Sequence, residues 1–135
     1  MARILIIEDD AVFVTLMSRA LTQAGHDVVV TQDGVEGVAA FEEKPFDAVV
    51  TDLVMPNSDG IETIRSIRAL RADVAIVAVS GGVSHPAGLN VNYLGAAERL
   101  GADATLQKPF MPSVLCNLVS DVLAAKARAA QNRSA

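Results

Sequence analysis

The chain has 135 residues, a length at which one domain can bury most of its apolar surface. Hydrophobic residues make up 51% and charged residues 20%, with mean hydropathy of +0.36, so a disordered chain is excluded except at the ends. A formal charge of −5 gives no basic footprint, which argues against nucleic acid and anionic membrane surfaces as partners.

Arg3-Ile4-Leu5-Ile6-Ile7 reads as a first buried strand and stops at Glu8-Asp9-Asp10, far short of a signal peptide core or a membrane span. Apolar residues then recur at Phe13, Leu16, Met17, Ala20, Leu21 and Ala24, the spacing of one helical face. Gly25 is placed to end that helix with a left-handed cap. Asp27 to Thr31 is a short strand, and Asp33-Gly34 leads into a helix that runs through Phe41 and stops at Lys44-Pro45. Phe46 to Thr51 is an apolar, β-branched run too short for a helix and reads as a buried strand. It ends in Asp52, before Met55-Pro56 and Asp59-Gly60 break the chain.

Asp59 and Glu62 have the spacing of a capping box with Asp as the cap, and Ile61, Ile64 and Ile67 form the inner face of the helix that follows. Val74 to Val79 is another strand, ending at Ser80-Gly81-Gly82. A loop with Ser84, Pro86 and Gly88 runs to about Asn92, followed by a helix with Tyr93, Leu94, Ala97 and Leu100 that Gly101 closes. Ala102 to Gln107 is the last strand. Lys108-Pro109 leads to Pro112, which suits the first turn of a helix, striped by Val114, Leu115, Leu118, Val119 and Val122. Cys116 lies within this stripe as a core thiol and has no second cysteine for an internal disulfide, which suits a reducing, cytoplasmic setting. His26 and His85 read as separate surface residues with no partner at metal-ligand spacing. Residues 1–123 form one domain, and 124–135, with Lys126, Arg128 and Arg133, a polar helical tail that frays.

Five strands alternating with five helices imply an open parallel sheet covered on both faces. In such a sheet chemistry gathers at the carboxyl ends of the strands. Four ends carry polar residues: Glu8-Asp9-Asp10 after the first strand, Asp52 after the third, Ser80 after the fourth and Lys108-Pro109 after the fifth.

This ordered set, with Asp52-Leu-Val-Met-Pro-Asn-Ser-Asp-Gly60 at its centre, resembles the receiver domain of two-component response regulators from Arg3 to about Leu123. The resemblance implies a flavodoxin-like (βα)5 fold with strand order 2-1-3-4-5, and a domain that accepts a phosphoryl group from a sensor histidine kinase or a histidine phosphotransfer protein. It makes Asp52 the phosphoacceptor, Ser80 the switch hydroxyl and Lys108 the cation that pairs with the phosphoryl oxygens across a cis Lys-Pro bond. Mg²⁺ would be held by Glu8, Asp9, Asp52 and the backbone carbonyl of Val54, with Asp9 the direct ligand and Glu8 acting through water. Asp10, one step beyond, is the cap of the first helix.

Three positions depart from the family pattern. Val54 and Gly82 stand where polar side chains often tune hydrolysis of the acyl phosphate. Thr105 stands where an aromatic usually reports the switch, leaving Tyr93 as a substitute. The expected output is a change in the Ser80 loop and the following helix, read by a separate partner protein, from a stand-alone monomer or weak homodimer. The competing readings are an aspartyl-phosphate phosphohydrolase, a receiver that binds partners without phosphorylation, and a flavin carrier. Against the first, Val54 cannot protonate a leaving group. The intact acidic and lysine set opposes the second. The third would need a Ser/Thr-rich phosphate loop after the first strand.

Overall fold

The computed structural model describes residues 1–55, 58–81 and 93–134. The expected Pro56-Asn57 turn and the loop from Gly82 to Asn92 lie outside them. Five strands form the main sheet: β1 (Arg3–Ile7), β2 (Asp27–Thr31), β3 (Ala48–Asp52), β6 (Ala75–Ser80) and β7 (Ala104–Gln107). Their order is β2-β1-β3-β6-β7 and every pairing is parallel. Counting these strands alone, the order is the expected 2-1-3-4-5. A two-stranded antiparallel ladder, β4 (Val54–Met55) with β5 (Ser58–Asp59), follows β3 directly. The sequence read only a turn there, because two-residue strands show no periodicity.

Successive side chains of a strand point to opposite faces, and the core divides accordingly. Leu5, Ile7, Val49, Ile76 and Ala78 join Phe41, Phe46, Ile64, Ile67 and Ala97 on one side, under α2 (Gly34–Glu43), α3 (Gly60–Leu70) and α4 (Tyr93–Arg99). Ile4, Ile6, Val50, Val77 and Val79 join Met17, Leu21, Leu115 and Val119 on the other, under α1 (Ala11–Gln23) and α5 (Pro112–Ser134). Three strand starts differ from the sequence reading: β3 begins at Ala48 rather than Phe46, β6 at Ala75 rather than Val74, and β7 at Ala104 rather than Ala102. Phe46 is a core side chain all the same, since an apolar residue can plug the core before the ladder begins.

Each of the first three helices starts on an aspartate. Asp10 accepts from the N–H groups of Val12 and Phe13, Asp33 from Glu36, and Asp59 from Ile61 and Glu62, satisfying amides that have no intrahelical partner. Gly25 and Gly101 have φ of +98° and +118°, the left-handed backbone expected after α1 and α4. The amino-terminal end of the sheet is tied by side chains. The Arg68 guanidinium donates to the carbonyls of Ala72, Val74 and Gly101 and to Asp103. Asp103 also accepts from the Ile76 N–H at 2.8 Å and pairs with Lys126 at 2.8 Å.

Two readings need adjustment. His26 is not a plain surface residue: its Nδ1 accepts from the Ala2 N–H at 3.2 Å, pinning the start of the chain to the turn before β2. Cys116 is only half-buried, although it packs against the α1–α5 layer, and burial raises its thiol pKa. Among the described residues no helix is long and apolar enough to cross a membrane.

Candidate functional site

The carboxyl ends of β1, β3, β6 and β7 meet along one edge of the sheet. Glu8 continues the β1 ladder by donating its N–H to the Thr31 carbonyl at 3.0 Å. That places its side chain fully under the surface, at 1% exposure, while neighbouring Asp9 is exposed. Asp52 ends β3 opposite Val79 of β6 and is 5% exposed. Its Oδ1 accepts from the Val54 N–H at 3.0 Å, so the turn into β4 fixes the carboxylate's orientation.

Gly60 lets α3 approach this turn. A Cβ there would lie 2.4 Å from the Leu53 Cα and 2.8 Å from the Asp52 carbonyl oxygen, so only glycine fits. Ser80, 5% exposed, ends β6 in register with Gln107. Its carbonyl accepts from the Lys108 N–H at 2.7 Å, and the Lys108-Pro109 bond is cis.

Lys108 crosses from the β7 end into the carboxylates. Its ammonium donates to Glu8 Oε1 and, at 3.0 Å, to Asp52 Oδ2. The same nitrogen lies 4.3 Å from the centroid of the Phe13 ring. Burial works against the lysine's charge, but hydrogen bonds and attraction to Glu8 and Asp52 outweigh it and hold its pKa above the ordinary value. The Glu8 carboxyl is pushed from 4.5 up to about 8, first by burial and then by the Asp52 carboxylate beside it, which Lys108 only partly offsets.

Glu8 Oε2 is buried with no hydrogen-bond partner, and buried polar atoms are rarely left so. Glu8, Asp9 and Asp52 each offer a carboxylate oxygen within 4.8 Å of the others. The orphaned oxygen and this all-oxygen donor set fit a hard divalent cation. Glu8, Asp9, Asp52 and Lys108 are thus brought together. Ser80 lies at the neighbouring strand end, and Val54 is held through its N–H. The Tyr93 side chain lies outside the described residues. No local signal marks the Phe13 contact, because a ring at that position reads as part of the helix's core stripe.

An open parallel sheet with a lysine and three carboxylates at its carboxyl edge defines a doubly wound α/β domain whose strand ends form a carboxylate cluster able to hold a metal ion. The chain matches the family model of the response regulator receiver domain over residues 4–120 and belongs to that family. It is 38% identical over 111 residues to the transcriptional regulatory protein TcrA of Mycobacterium tuberculosis, a match that covers 80% of this chain and 40% of TcrA. A CheY-like response regulator receiver domain protein from Methanospirillum hungatei has the same fold, with TM-score 0.85 and 25% identity over 95% of this chain and 98% of that one. NtrX from Brucella abortus gives TM-score 0.88 at 23% identity, covering 98% of this chain but 29% of NtrX. The chain therefore spans well under half the length of TcrA and of NtrX.

Proposed function

We propose that this domain accepts a phosphoryl group on Asp52 from a sensor histidine kinase or a histidine phosphotransfer protein, and signals to a separate protein. One observation carries the reading: in a chain of this family, Asp52 shares a single lysine with Glu8 beside a buried carboxylate oxygen that lacks a partner. An Asp52 oxygen attacks phosphorus, forming an acyl phosphate. The bond from phosphorus to the donor breaks, and its electron pair stays on the donor's nitrogen.

Glu8, Asp9, Asp52 and the Val54 carbonyl would hold Mg²⁺. The bound cation would supply the charge that lets an anionic donor approach three carboxylates. Lys108 supplies a second, permanent cation that pairs with the phosphoryl oxygens. The Val54 N–H keeps Asp52 oriented, and burial of the site keeps bulk water from Asp52. Ser80 follows the phosphoryl group and carries the change into the residues after β6.

The domain is a phosphoacceptor rather than a phosphohydrolase, because the apolar Val54 stands where a leaving group would need an acid. The test is incubation with Mg²⁺ and a small acyl-phosphate donor, followed by intact mass. The parent protein should gain one phosphoryl group and Asp52→Asn none. Equal gain in both proteins would refute the assignment.

A further inference from the structure

Lys108 touches more than carboxylates. An ammonium has three N–H donors. Two go to Glu8 and Asp52, and the Phe13 ring, 4.3 Å away, is its remaining close partner among the described residues. Phe13 lies in the first turn of α1, which the Asp10 cap fixes through the Val12 and Phe13 N–H groups. Its ring also meets Phe110, two residues beyond Lys108, with centroids 5.6 Å apart and planes tilted by 52°.

The loop after β7 therefore grips Phe13 twice, by a cation and by a ring. Leu21, on the same helical stripe, fills the α1–α5 layer without a ring. What a ring adds is a negative face that attracts a cation, and more strongly where water is excluded. A lysine stem is flexible, so a third contact narrows where its charge can sit.

We propose that Phe13 is a positioning residue for the Lys108 ammonium, and that the Phe13–Phe110 pair follows that ammonium when the group it faces on Asp52 changes. This rests on the phosphoacceptor reading above. It supplies an aromatic reporter in a chain whose β7 carries Thr105, and it sets that reporter on α1 and the loop between β7 and α5.

The sequence contains four phenylalanines, which makes the test direct. Phe13 and Phe110 pack in the α1–α5 layer. Phe41 and Phe46 stack on each other in the opposite layer and serve as internal controls. Protein labelled with 4-fluorophenylalanine gives one fluorine resonance per ring. Adding Mg²⁺ and a beryllium fluoride mimic of the phosphoryl group should shift the Phe13 and Phe110 resonances and leave the other two in place.

Phe13→Leu should slow phosphoryl uptake from a small acyl-phosphate donor by about three- to tenfold, whereas Phe13→Tyr, which keeps the ring, should match the parent. A role in packing alone would leave the Leu variant as fast as the parent, and that result overturns the proposal. So does a Phe13 resonance that stays put while mass shows the parent phosphorylated. Should Phe13→Leu fail to fold, Lys108→Met in labelled protein must shift the Phe13 resonance without any ligand, and no shift overturns the proposal. A parent that gains no phosphoryl mass overturns the functional reading and takes this inference with it.

Discussion

Gly60→Ala is the substitution that most directly couples fold to site. Two effects oppose each other. Alanine is the better helix former, by about 1 kcal/mol in a helix interior and less at an end, and Gly60 is the first residue of α3. Against this, the new Cβ would lie 2.4 Å from the Leu53 Cα, 2.7 Å from the Leu53 carbonyl oxygen and 2.8 Å from that of Asp52. Carbon atoms rest about 3.5–4.0 Å apart, so backbone, not a pliant side chain, must yield by about 1 Å.

Overpacking of this kind costs about 1–3 kcal/mol. The clash wins, and the net loss should be about 1–2 kcal/mol. With a urea m-value of about 1–3 kcal/mol/M, the unfolding midpoint should fall by roughly 0.5–1 M. The displaced segment contains Asp52, so phosphoryl uptake should slow as well. A Gly60→Ala protein with the parent's midpoint would show that α3 does not press on the Asp52 turn as described.

Other expectations follow from the same contacts. In metal-free solution the parent should lose stability as pH rises from 4.5 through about 8, because a carboxyl whose folded pKa is raised contributes fully only below its ordinary value; urea midpoints of Glu8→Gln should lack this slope, and equal slopes would refute the assignment. Lys108→Met removes a cation that competes for Glu8 and Asp52, so Mg²⁺ should bind about tenfold tighter by calorimetry; unchanged or weaker affinity would contradict the shared ion pair. Asp10→Ala should cost about 1 kcal/mol through the α1 cap while leaving Mg²⁺ affinity nearly intact, and a large loss of affinity would mean that Asp10, not Asp9, is the ligand. Arg68→Met leaves three carbonyls and Asp103 short of a donor and should cost about 2–3 kcal/mol in thermal or urea unfolding.

Much of this was legible in the chain because the signals are local. β-branched runs between turn residues marked the strands, and aspartates before apolar periods marked the helix starts. Acidic, hydroxyl and lysine residues at strand ends marked the edge where Glu8, Asp9, Asp52, Ser80 and Lys108 lie. What escaped depends on distance in sequence. The Arg68–Asp103 pair spans 35 residues, and nothing near either residue announces it. Phe13 reads as an apolar helix position, and only the fold brings Lys108 to its face. The β4–β5 ladder is too short to leave a periodic trace, and the His26 bond to Ala2 joins a turn to the chain's start.

The Asp103 carboxylate, which receives Arg68 of α3, the Ile76 N–H of β6 and Lys126 of α5, gives the sheet a mechanical polarity. One end is clamped like the root of a cantilever, with three elements bolted to one side chain. The other end carries the buried Glu8 and Asp52, bridged by Lys108. A clamped root confines displacement to the tip, so a change at Asp52 should tilt the far ends of β6 and β7 rather than slide whole strands. Amide exchange along β6 should therefore be slowest near Ala75 and quicken toward Ser80.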